Sequence, residues 1–125
     1  MIDLQLQDSQ IMPSYPVVGQ FTWQPDDPDK EPKSAEVYVA WFTEGRGTRD
    51  RQYVATQEIE PEHLLKYRQR PYEFELNIPY DAPLTYNGHL FRLMWEVKVQ
   101  IVFPGLFRPK DTTSQIIQVV PQSYA

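Results

Sequence analysis

Cysteine is absent from the 125-residue chain. Its absence excludes disulfides, thiolate zinc sites and a cysteine nucleophile, and it fits a reducing compartment. Histidine is scarce as well. His63 and His89 are the only two, so a multi-histidine metal site cannot form. Basic residues are outnumbered, 12 against 17 acidic, for a net charge of −5. That balance argues against a nucleic-acid backbone or an anionic membrane as partner. No apolar run approaches the roughly 20 residues of a membrane span. The opening residues, MIDLQLQDSQ, have neither the basic nor the apolar region of a signal peptide. The expectation is a cytoplasmic protein without membrane insertion. A serine elbow and an H-x-x-E-H pattern are both missing, and with them the usual starting points for catalysis. The chain is therefore expected not to be an enzyme and to need no cofactor or metal. Internal repeats and low-complexity tracts are also lacking, and one domain spanning 1–125 is expected.

What the chain does have is alternation. From His89 to Phe103 one set of positions reads His89, Phe91, Leu93, Trp95, Val97, Val99, Ile101, Phe103. The intervening set reads Leu90, Arg92, Met94, Glu96, Lys98, Gln100, Val102. Period two means a long half-buried strand, because successive side chains point to opposite faces of a sheet. Shorter runs of the same kind cover Ile2 to Leu6, Val17 to Trp23, Glu36 to Thr43, Arg51 to Ile59, Tyr72 to Ile78 and Ser114 to Val120. Turn-formers separate them. The proline-rich QPDDPDKEPK reads as an exposed loop, with Pro25, Pro28 and Pro32 holding it off the sheet. Gly45 and Gly47 suit a hairpin that needs positive φ. Asn87-Gly88 marks another turn, and Pro104-Gly105 ends the long strand. PEHLLKY opens on Pro61, which suits a first helical position. One or two helical turns are expected there, with Leu64 and Leu65 as a plug. The pattern predicts an all-β, antiparallel immunoglobulin-like β sandwich of about seven strands with one short helical turn. Its core should be dominated by Trp23, Trp41, Phe74, Leu76, Phe91, Leu93, Trp95, Val97 and Val99.

The stretch FELNIPYDAPLTYNGHLFRLMWEVKVQI, Phe74 to Ile101, resembles the arrestin-like N-terminal domain family. The matching positions are Pro79, Pro83, Thr85, Tyr86, Gly88, Trp95, Val97 and Val99. WFTEGRGTRD resembles the third-strand hairpin of small stand-alone prokaryotic members, and Gly19 in VVGQFTW matches the family's glycine before a strand. The resemblance implies an interaction scaffold and no chemistry, since members such as arrestins, retromer subunits and sporulation-control proteins act by binding proteins. The chain departs from arrestins in having one sandwich, and no phosphate-sensing lysine pair can be placed on it. Receptor binding is accordingly not carried over.

Several groups of residues are candidates for function. By parity Tyr38 and Phe42 share a face with Leu90 and Met94 if their strands share a sheet. An exposed apolar patch of that kind marks a protein-partner surface, the alternative being that a loop such as the Leu64-Leu65 plug covers it. The Ile2 to Leu6 strand carries no lysine or proline to blunt pairing, so a homodimer through that edge is a second route to a partner. Tyr15, Tyr80 and Tyr86 would serve the alternative, a small-ligand or carbohydrate binder. Asp26, Asp27, Asp29 and Glu31 offer oxygens to calcium, but the loop lacks the glycine and trailing glutamate of an EF-hand and reads as solvated. Arg46, Arg49 and Arg51, with Arg68 and Arg70, form two small basic clusters, and an arginine hairpin tip can bind a carboxylate or phosphate. The favoured reading is a charged hairpin that keeps the sheet soluble, since Glu44 and Asp50 in the same turn offset its field.

Overall fold

A computed structural model describes residues 1–27, 29–46, 49–66, 70–107 and 109–121. Pro28, Gly47 and Arg68, which enter the readings above, lie outside the described residues. The chain runs β1 (Ile2–Leu6), β2 (Gln10–Ile11), β3 (Pro16–Trp23), β4 (Ser34–Gly45), β5 (Arg51–Ile59), α1 (Pro61–Lys66), β6 (Tyr72–Asn77), β7 (Tyr86–Asn87), β8 (Phe91–Val102) and β9 (Lys110–Val119). They form two sheets. The smaller has the order β1-β3-β6, the larger β2-β9-β8-β4-β5, with β7 beside the start of β8. Pairing is antiparallel except between β2 and β9, which run parallel. The expected all-β sandwich is the observed fold.

Alternation dictates which residues meet between the sheets. In β3 Val17, Phe21 and Trp23 point inward, and every second residue is half-buried or more open. Ile2, Leu4, Phe74 and Leu76 join them from β1 and β6. The larger sheet answers with Ala35, Val37, Val39, Trp95, Val97, Val99, Ile101, Ile117 and Val119. Burying this set is the main favourable term, at about 25 cal/mol per Å² of apolar area. Gly19 faces the same interior. A Cβ there would sit 2.8 Å from the Phe74 ring and 2.9 Å from the Gln5 carbonyl oxygen. Glycine at this position lets the Phe74 ring lie against the backbone of β3. Leu64 of α1 drops into the core at 1% exposure, so the helix does act as a plug.

Polar side chains on the inner face stitch the flanks of the sandwich. Trp23 Nε1 donates to Asp111 Oδ2 at 3.2 Å, and Gln57 Nε2 donates to the Tyr72 hydroxyl at 2.9 Å. Gln115 Nε2 donates to the Leu4 carbonyl at 2.6 Å, using an acceptor on the outer edge of β1. Trp95 Nε1 donates to the Pro83 carbonyl at 2.9 Å, which satisfies the indole of a fully buried ring.

Three expectations change. The long strand begins at Phe91, because Gly88 N donates to the Phe91 carbonyl and closes a turn over His89 and Leu90. Phe91 leaves the core and is 48% exposed, since its partner Gly45 is the last residue of β4 and the smaller sheet does not reach that far. Trp41 and Leu93, next along, are half-buried at the core's rim. The β4 to β5 hairpin does use glycine for its backbone: Gly45 has φ 152°, and a Cβ would come 2.6 Å from the Leu90 carbonyl.

Candidate functional site

The outer face of the larger sheet is built by the residues that alternate with the core. Register sets Tyr38 between Thr56 and Lys98, Ala40 between Tyr53 and Glu96, and Phe42 between Arg51 and Met94. Ile116 lies across from Glu96 on β9. The described elements are two sheets and one helix, and the helix sends Leu64 into the core. Among the described residues, then, no second layer lies on this face.

Its centre is nevertheless closed to water. Tyr38 is 4% exposed, Ala40 0% and Glu96 9%. Neighbouring side chains do the covering. Arg51 Nη1 donates to Glu96 Oε1 in a charge-assisted pair, and its guanidinium lies 5.0 Å from the centre of the Phe42 ring. The hydrogen bond to Glu96 is the largest influence holding the Arg51 pKa above its usual value, against the desolvation that lowers it. Tyr53 meets Tyr38 edge to face, with ring centres 4.9 Å apart and planes at 75°. Burial first, then the neighbouring Tyr53 and Glu96, push the Tyr38 hydroxyl up to about 12. Beside these rings is an open depression of about 370 Å³ lined by Glu36, Tyr38, Tyr53, Thr56, Gln100 and Lys110. A second of about 340 Å³ continues past Glu36 and Gln100 to Lys33, Glu58 and Glu60.

The four residues expected to share a patch divide between two places. Phe42 and Met94 are cross-strand partners and half-buried on the outer face. Tyr38 is the floor of that face and offers a partner little surface. Leu90 is not on the sheet. It stands 78% exposed in the turn before β8, near Tyr86 and Phe91, whose rings are 5.0 Å apart. Strand parity placed it wrongly because the strand starts at Phe91, two residues after the expected His89. Tyr53, Glu96 and Ile116 belong to the face and were not singled out from sequence, and Arg51, read from sequence as part of a charged hairpin, belongs to it as well. Two signals point to Glu96 and Ile116: a glutamate inside the apolar run LMWEVKV, and the doublet Ile116-Ile117, of which one member must face out.

The other candidates are dispersed. Arg46 and Arg49 are exposed, while Arg92 is held by Glu44 at 2.8 Å. Asp27 Oδ1 accepts from the Asp29 backbone N–H at 3.0 Å, a local turn bond. Among the described residues no cluster of histidine or carboxylate side chains is arranged to hold a metal ion. His63 and His89 are both exposed, the first on α1 and the second in the turn before β8. Tyr80 is 82% and Tyr15 49% exposed, on loops at the end of the sandwich where β3 begins and β6 finishes. Among the described residues no helix is long and apolar enough to cross a membrane.

The two-sheet arrangement defines an arrestin-like β sandwich. The crystal structure of Spo0M, a sporulation control protein from Bacillus subtilis, superposes over 97% of this chain with a TM-score of 0.70 at 11% identity. The chain spans 49% of the length of that protein. At this identity the likeness is one of fold. No family model matches the chain. No curated protein matches it in sequence.

Proposed function

We propose that this domain is a non-enzymatic protein-interaction module whose docking face is the outer face of the larger sheet. The observation that carries the reading is the make-up of that face. An uncovered sheet presents Phe42, Met94, Tyr53 and Ile116 around the Arg51–Glu96 pair, with Tyr53 55% and Ile116 51% exposed. Apolar and aromatic side chains about a fixed ion pair are the ingredients of an interface centre. An adaptor or scaffold role follows, and the lack of cysteine favours the cytoplasm as its compartment.

The test is affinity capture from native lysate with mass spectrometry, using wild type beside a Met94→Asp, Ile116→Asp double variant of unchanged circular dichroism. A protein retained by wild type and lost by the variant supports the reading. Equal retention by both, or none by either, removes this face as the docking site. A second reading rests on the 370 Å³ depression, where Tyr38 and Tyr53 rings stand beside Glu36, Thr56 and Gln100. Rings next to hydrogen-bonding groups suit a carbohydrate or another small polar ligand, and a glycan array addresses it.

A further inference from the structure

Strand β5 ends the larger sheet, so the side of its backbone away from β4 has no ladder partner among the described residues. It contains neither lysine nor proline, the residues that ordinarily blunt such an edge. It does contain a β-bulge. Val39 pairs with Ala55 and Ala40 with Tyr53, which leaves Val54 as the extra residue, and Val54 and Ala55 both pack toward the core.

The bulge changes which residues share a face. Arg51, Tyr53, Thr56 and Glu58 pair with the outward residues of β4, while Gln52 and Gln57 pair with inward ones. From Arg51 to Glu58 the facing order is therefore out, in, out, in, in, out, in, out. That order reads the same in both directions. A regular strand shifted by one residue would present opposite faces to its copy. Here an antiparallel copy can be laid alongside with Arg51 opposite Glu58, Gln52 opposite Gln57, Tyr53 opposite Thr56, and every face matched.

Charge favours the same register. Glu58 lies directly opposite Glu36 on β4, a like-charge placement that destabilises a sheet. Among the described residues neither carboxylate is in an ion pair. The guanidinium of Arg51, with N–H donors beyond those used on Glu96, sits at the other end of β5. Two-fold symmetry brings it to Glu58 twice over.

We propose that β5 is the interface of a homodimer, two copies of this chain pairing antiparallel edge to edge about Val54 and Ala55. The larger sheets become one continuous sheet. The edge expected from sequence to serve a homodimer, β1, is the less suited one, since Gln115 already caps its Leu4 carbonyl. The inference does not depend on the partner face above, whose test residues Met94 and Ile116 lie on other strands.

Sedimentation equilibrium from micromolar to millimolar protein tests it. The weight-average mass should rise from the 14.8 kDa of one chain toward twice that value. Glu58→Arg, at an exposed position, should keep the fold and raise the dimer dissociation constant about tenfold or more, because two favourable cross-strand pairs become repulsive. A Tyr53→Cys, Thr56→Cys variant should oxidise to a covalent dimer. The two positions of one strand are roughly 10 Å apart and cannot bridge to each other. A single-chain mass at every concentration overturns the proposal. So does a dimer that ignores Glu58→Arg and fails to cross-link.

Discussion

On their inner face β4 and β8 present Val37, Val39, Trp95, Val97 and Val99, all at 0% exposure, to the smaller sheet. On their outer face Tyr38, Ala40 and Glu96 are nearly as well hidden, yet among the described residues nothing comparable lies above them. The same two strands are closed by two mechanisms. One face excludes water by packing against another layer. The other does so with the long side chains of its own sheet, Arg51 over Phe42 and Tyr53 against Tyr38. The first kind of closure is rigid and carries the fold. The second uses polar groups at its rim, and a partner of the kind proposed would engage it without unfolding anything.

The inner face should be the costlier one to damage. Trp95→Ala removes a fully buried ring and its bond to the Pro83 carbonyl. We expect a loss of ~3–5 kcal/mol, the range for truncating a large core aromatic, read from urea unfolding. A loss under about 1 kcal/mol would mean that the inner face does not carry the fold. Gly19→Ala probes the fit of that face without removing anything. The new methyl would meet the Phe74 ring at 2.8 Å and the Gln5 backbone at 2.9 Å, and overpacking of this kind costs ~1–3 kcal/mol. Stability equal to wild type would show that β3 can shift away from β6.

These two faces were unequally legible in the sequence. The inner face could be read because hydrophobic alternation needs no knowledge of the partner: β1, β3, β5, β6 and β8 are all found within a few residues of their expected limits. Two short strands were not expected. Gln10–Ile11 is a strand only because β9 runs beside it in parallel, and Tyr86–Asn87 only because Leu93 and Arg92 lie across from it. The first half of β9 reads as loop since its inward residues are polar. Asp111 and Gln115 face inward to accept from Trp23 and donate to Leu4, and a bond across the sandwich leaves no period in hydropathy. On the outer face parity correctly paired Phe42 with Met94. Burial of Tyr38 depended on Tyr53, a residue on another strand whose register a bulge decides. A bulge leaves no mark in one sequence.

The outer closure has a signature of its own in alkali. A buried tyrosine held protonated to about 12 contributes stability that is fully present below pH 10, the ordinary tyrosine value, and is lost as pH rises toward 12. In that window the unfolded chain releases the proton before the folded one does, so unfolding gains. Tyr38→Phe lacks this contribution. The stability of wild type relative to Tyr38→Phe should fall between pH 9 and pH 11.5 by on the order of 1–2 kcal/mol. Parallel curves for the two proteins would mean that water reaches Tyr38 and that the outer face is open.

The smallest effect on stability should come from the residue with the most to say about function. Ile116 is 51% exposed on β9, across from Glu96. Ile116→Asp leaves the core untouched but sets a carboxylate across from that of Glu96, so it should cost no more than about 1 kcal/mol. If the outer face is a docking surface, the same change desolvates a carboxylate in every complex, and binding should fall far more than the melting curve shifts. Trp95→Ala should do the reverse, weakening the fold while leaving the chemistry of the outer face intact in whatever fraction remains folded. A single residue that moved both readouts together would collapse the distinction between the faces. Two residues that move them separately would establish that one sheet serves two independent tasks.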